Sequence, residues 1–144
     1  MQKQERNKRT MEALFNEALN GGDLSAADKY LTPERPDHDP AFPPEMLQGR
    51  EGFKLAIGWI RSMFPDIKFT PEFMVAEGDY VVTYGQMEGT NHGEIMGTPA
   101  TGKKIKLANI DICRFTEDGL IAEHWGTFNM MEMMKQLGMM SQHG

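Results

Sequence analysis

The feature that most constrains this chain is a change of hydrophobic period at Pro65. Before it, Met11, Leu14, Phe15, Ala18 and Leu19 recur at helical spacing, and Gly21-Gly22 supplies a stop. Asp23 is placed to cap a short second helix bearing Leu24, Ala27 and Leu31. Phe53, Ala56, Ile57, Ile60 and Phe64 give a third helix one apolar face. After Pro65 the period falls to two. Ile67, Phe69, Phe73 and Val75 alternate, Glu77-Gly78-Asp79 marks a turn, and strands are expected over 80–90, 104–115 and from 120 to about 128. Met130, Met133, Met134 and Leu137 then predict a closing helix. Helices first and antiparallel strands after them imply an α+β fold. Such a sheet must bend around the helices to cover its apolar face, and a bent sheet capped by helices encloses a pocket. The proline-rich segment from Pro33 to Pro44 must be a loop.

The 144 residues are expected to form a single domain, long enough to bury a core without staples. A net charge of −6 argues against nucleic acid or an anionic membrane as partner. The single cysteine, Cys113, forms no intrachain disulfide, and no apolar run approaches ~20 residues, so a cytoplasmic location is expected. The 13 methionines, crowded toward the C-terminus, suit a cavity wall or a subunit contact as well as plain helix packing.

Alternation sorts the candidate functional residues. Ile105, Leu107, Asn109, Asp111, Cys113 and Phe115 share one face of their strand. Asn109 and Asp111 in that apolar row either line a pocket or face solvent or a subunit contact. On the last strand Leu120, Ala122, His124, Gly126 and Phe128 alternate with Ile121, Glu123 and Trp125. His124 is either an acid/base, given a reference pKa of ~6.5, or a structural histidine held by a carboxylate. If Asp111 and His124 meet, the carboxylate would orient the ring and leave the other nitrogen for proton transfer. Asp111 and His124 are therefore the candidate catalytic pair, with Asn109, Asp39, His38, Trp59 and Phe128 as candidate substrate contacts. The sequence has no phosphate loop, no nucleophile elbow and no close zinc-ligand spacing, so no cofactor and no metal are expected. Cys113 reads as a structural thiol.

Several short segments, in order, carry a family resemblance: Leu19-Asn20-Gly21-Gly22-Asp23-Leu24, Asp37-His38-Asp39-Pro40, Gly49-Arg50-Glu51-Gly52 and Phe64-Pro65-Asp66. Gly93-Glu94-Ile95-Met96-Gly97, Ile110-Asp111-Ile112, Asp118-Gly119, Glu123-His124-Trp125 and Gln136-Leu137-Gly138 complete the series. With these, the chain resembles the SnoaL-like polyketide cyclases of the nuclear transport factor 2-like superfamily. The resemblance implies a cone-like α+β fold with a strongly bent antiparallel sheet around a deep apolar pocket, as a homodimer or higher homo-oligomer. It also implies cofactor-free ring closure of an aromatic polyketide ester by aldol condensation. The founding cyclases keep an acid/base aspartate where this chain has Gly126, and a histidine where it has Asp111. Many relatives read Thr-His-Thr-Gly where Thr90-Asn91-His92-Gly93 stands here, so His92 inherits no role by name.

Three functions are therefore expected to compete. The first is a cyclase- or isomerase-type enzyme using proton transfer on a small apolar or aromatic carbonyl compound. The second is an accessory protein that binds such a compound without converting it. The third is an epoxide hydrolase with an Asp-Arg-Asp arrangement, for which Arg114 lies on the wrong face of its strand and no second aspartate follows Trp125.

Overall fold

The computed structural model describes residues 2–140. Helix α1 (Lys3–Leu14) runs directly into a π-helical segment, Phe15–Asn20. It is followed by α2 (Ala26–Tyr30), a 3₁₀ turn at Pro44–Met46, and α3 (Gly49–Met63). Strands β1 (Lys68–Glu77), β2 (Tyr80–Thr90), β3 (Lys104–Phe115) and β4 (Ile121–Gly126) then precede α4 (Met130–Gln136). The strands form one antiparallel sheet in the order β1-β2-β3-β4, curled but unclosed. The class is α+β. Asp23 accepts from the backbone N–H and hydroxyl of Ser25 in a local turn and is not the N-cap of α2, which begins only at Ala26.

The core lies between the helices and the inner face of the sheet. Met11, Met63, Phe64, Phe69, Phe115, Ile121 and Met133 are all buried in it. The apolar row of α3 and the inner rows of β2 and β3 share the rest with Leu14, Ala18, Leu19, Ala26, Ala27 and Leu31 of the N-terminal segments, at a gain of roughly 25 cal/mol per Å² removed from water. The π-helical segment lies where Phe15 meets Phe69 of β1, with ring centroids 4.6 Å apart. Asn20 locks that end, accepting from the backbone N–H of Phe69 and donating to its carbonyl. Among the described residues, no helix is long and apolar enough to cross a membrane.

Two bulges break the simple alternation. Between Pro71 and Phe73 the register of β1 slips by one residue. Phe73 and Val75 consequently face outward and are exposed, while Met74 and Ala76 turn toward the core. In β4 the slip lies between Ile121, paired with Phe115, and Glu123, paired with Arg114. Ile121 is thus fully buried rather than sharing the outer face of Glu123 and Trp125. An inserted residue reverses every side chain beyond it.

Candidate active site

The inner row of β3 places Asn109, Asp111 and Cys113 side by side, all buried. In β4, His124 pairs with Cys113 and Gly126 with Asp111, so the His124 ring lies diagonally across from Asp111 on the same face. The proline-rich loop completes the group. It runs beside β4 as a short parallel bridge: His38 N–H donates to the His124 carbonyl at 2.9 Å, and His124 N–H to that of Pro36 at 3.1 Å. This contact brings Asp37 to the far side of the imidazole. Arg35 is anchored by its own carbonyl, which accepts from Gly49 N–H at 2.7 Å. Gly49 has φ +73°, and a Cβ there would lie 2.7 Å from the Pro33 carbonyl oxygen, so only glycine fits this join.

The result is a chain of charged groups under the helices. His124 Nε2 lies 2.8 Å from Asp111 Oδ1, and its Nδ1 lies 2.8 Å from Asp37 Oδ1. Asn109 donates to the other oxygen of Asp111 at 2.8 Å, and Arg35 Nη2 to the other oxygen of Asp37 at 3.2 Å. Burial by itself would depress His124. The hydrogen bonds to Asp111 and Asp37 outweigh it and push the pKa up to about 9. The ring is then an imidazolium at neutral pH, donating through both nitrogens. Burial works to raise Asp37, but His124 and Arg35 hold it below the usual carboxylate range. The expectation that one ring nitrogen stays free for proton transfer is therefore corrected: both are taken.

Asp39 stands apart from this chain. Asp39 is 4% exposed, and among the described residues its carboxyl accepts two N–H groups, both backbone, from Ala41 at 3.0 Å and from Phe128 at 3.3 Å. Burial pushes its pKa up, the two N–H groups offset part of this, and the nearby Asp37 charge adds repulsion. It reaches in next to Gly126. A Cβ on Gly126 would lie 2.6 Å from Asp39 Oδ2 and 2.9 Å from His124 Cε1. The missing side chain is what lets Asp39 enter.

Asp111, His124, Asp39, Asn109 and Phe128 all line one cavity of about 90 Å³. Its apolar wall includes Met11, Phe15, Phe42, Phe53 and Ile57. Two predicted contacts are not among its lining residues. His38 lies on the outer face, bonded to Glu123 at 2.7 Å and stacked on Trp125. Trp59 stands behind Phe42, edge-on at 5.7 Å, and does not reach the cavity. Phe128 also meets Phe42, at 5.8 Å. Sequence reasoning missed Asp37 and Arg35 as site residues. Their loop has no period to sort faces by, and the pairing of two aspartates around His38 was the available signal. The Asp-Arg-Asp arrangement is not formed: a histidine stands between Asp37 and Asp111, and Arg35 lies beyond Asp37, while Arg114 pairs with Glu123 outside. Cys113 is buried, which pushes its thiol pKa up.

Comparison with known proteins agrees with this architecture. TsrD from Streptomyces laurentii superposes with a TM-score of 0.81 at 33% identity, over 94% of this chain and 97% of that one. The nogalonic acid methyl ester cyclase of Streptomyces nogalater is 27% identical over 124 residues, 84% of this chain and 90% of the relative. The aklanonic acid methyl ester cyclase DnrD of Streptomyces peucetius is 29% identical over 111 residues, 76% of this chain and 72% of the relative. The model of the SnoaL-like polyketide cyclases matches residues 9–137. This chain belongs to the SnoaL-like polyketide cyclase family.

Proposed function

We propose that this protein closes a ring in a polyketide-like carbonyl ester by intramolecular aldol addition, with Asp39 as the proton carrier and His124 as a fixed positive charge. The observation that carries the reading is the division of labour in the cavity. Both nitrogens of His124 are held by carboxylates, whereas Asp39 beside it keeps only two backbone N–H groups.

The steps follow from those positions. Asp39 takes a proton from the carbon next to the substrate carbonyl, and the electron pair moves onto oxygen as an enolate. The His124 imidazolium, kept charged by Asp37 and Asp111, lowers the energy of that negative charge in a site of low dielectric. The enolate carbon then attacks the second carbonyl. A carbon–carbon bond forms, the carbonyl π bond breaks, and the alkoxide recovers the proton from Asp39. Asp111 orients His124, and Asn109 holds Asp111. A base works best when its pKa is brought near the working pH, which is the direction burial gives Asp39.

The cavity volume of about 90 Å³ is well below the roughly 300–1,000 Å³ of drug-sized ligand sites. A multi-ring substrate therefore requires Phe42 and its loop to move aside. The reading includes a homodimer formed across the outer sheet face, where Phe73, Val75, Tyr80 and Ile110 are exposed. It also includes a cytoplasmic location.

The test is turnover. Nogalonic and aklanonic acid methyl esters, incubated with the protein and followed by chromatography and mass, should give cyclised isomers of unchanged mass. Asp39→Asn should lower kcat by roughly 10²–10⁴-fold. Tight binding of both esters with no isomer formed would replace this reading with that of a binding protein.

A further inference from the structure

The proton-transfer scheme leaves one group in the cavity unused. Arg35 is 2% exposed and lines the cavity beside Asp37. One of its nitrogens, Nη2, reaches Asp37. The other two, Nε and Nη1, are buried with no hydrogen-bond partner among the described residues. The guanidinium packs over Phe53, 5.3 Å from the ring centroid, and Phe53 itself lines the cavity. Buried donors left unpaired are uncommon in folded proteins and call for an explanation. Two such donors on one guanidinium that lines the cavity suit an acceptor carried by a ligand.

The donors themselves say what kind of acceptor: the charges of Asp37 and Asp111 are engaged by His124, Arg35 Nη2 and Asn109, which leaves Nε and Nη1 to a ligand. Among the described residues, no carboxylate is bonded to Nε or Nη1. A guanidinium is always charged, and its planar N–H array suits anionic oxygen better than a neutral carbonyl. Phe53, Ile57 and Met87 supply an apolar wall of the same cavity for the body of a ligand.

We propose that Arg35 is the anchor of an anion-binding subsite, which takes an acidic oxygen carried on a flat apolar body: a carboxylate, or the enolate of a 1,3-dicarbonyl compound. This deepens the cyclase reading by naming the substrate class, and it rests on that reading only for the enolate. Arg35 would set the oxygen end of the ligand on the Phe53 side of the cavity, leaving the acidic carbon toward Asp39.

The experiment needs no turnover. Benzoate, a permanent anion, and benzamide, its neutral counterpart of the same shape, are titrated into the full-length protein. Binding is followed by calorimetry and by the Arg Nε–H resonances in a ¹H–¹⁵N spectrum, with that of Arg35 assigned from its absence in Arg35→Lys. The expected result is benzoate at least about tenfold tighter than benzamide. The Arg35 resonance should move with benzoate and stay still with benzamide. In a second arm, bound 1-phenylbutane-1,3-dione should show its enolate absorbance at a lower pH than the free compound, and this shift should vanish in Arg35→Lys. Benzoate binding no tighter than benzamide, or binding that leaves the Arg35 resonance unmoved, overturns the proposal. Because Arg35→Lys serves mainly for assignment, the wild-type comparison decides even if that variant folds poorly. Anion preference without ring closure would leave the subsite standing and remove the cyclase reading; ring closure without anion preference would do the reverse.

Discussion

The carboxyl of Asp39 lies in the space that a side chain on Gly126 would occupy, 2.6 Å from the position of its Cβ. Two residues far apart in sequence thus share one volume: a loop contributes the acid and a strand gives up its side chain. The loop carboxyl then stands beside the His124 ring without belonging to its hydrogen-bond chain.

Gly126→Ala should therefore act on Asp39. The added methyl expels the carboxyl, the bond from Phe128 N–H is lost, and a backbone donor is left buried. We expect a loss of roughly 1–3 kcal/mol in urea unfolding. In an Asp39→Ala background the same change should cost less, with a coupling of about 1 kcal/mol or more. Strict additivity would show that the two side chains do not compete for this space.

Stability should fall as pH rises from neutral toward 9. His124 has a folded pKa near 9, above its ordinary value of 6.5, so its contribution is complete below 6.5 and lost on passing 9. Its side chain is 15% exposed, and the effect should be on the order of 2–3 kcal/mol. Asp37, held low, contributes in the opposite range: its share is present above its unfolded value and disappears as acid protonates it. Unfolding free energies at several pH values, with His124→Gln flattening the alkaline limb, provide the check. A His124 Cε1–H resonance titrating near 6.5 would contradict the two-carboxylate arrangement.

Phe42 should control which ligands enter. It lies between Trp59 and Phe128 over a cavity of about 90 Å³. Phe42→Ala should enlarge the cavity and strengthen binding of a three-ring aromatic ketone about tenfold, worth roughly 1.4 kcal/mol. Fluorescence titration would measure it, and weaker binding in the variant would make Phe42 a contact rather than a barrier.

Cys113 should be inert in the native protein, because it is buried and its thiol is held protonated. Labelling by an aromatic disulfide should follow the rate of unfolding. Rapid modification under native conditions would show that the inner row of β3 is open to solvent.

The sequence and structure agree where a local rule decides. Strands 80–90 and 104–115 were legible to the residue, because Gly-rich turns bound them and alternation is unbroken within them. That same alternation put Asn109 and Asp111 in one row with apolar residues and left open whether the row faced a pocket; the structure turns it inward. Alternation failed in β1 and β4 for one reason: a bulge adds a residue without changing the composition around it. The meeting of Asp111 with His124 was only a conditional reading of strand faces, because alternation within each strand does not fix how two strands are registered. The arrival of Asp37 was not legible, since it depends on a loop bridging to β4 through backbone groups that every residue carries. Arg35 was hidden for the same reason. His38 and Trp59 misled because an aromatic or imidazole ring near a site is as easily its outer support as its lining.

The central claim is that Asp39 moves the proton while His124 stays charged. It is tested most directly by the rate at which the protein exchanges the acidic carbon-bound proton of nogalonic acid methyl ester for deuterium in heavy water. Wild type, Asp39→Asn and Asp111→Asn are to be compared. The account predicts that Asp39→Asn loses about 10²-fold or more in kcat with KM little changed, while Asp111→Asn keeps exchange at a reduced rate. Full exchange by Asp39→Asn, with none by Asp111→Asn, would assign the base to Asp111 and contradict it.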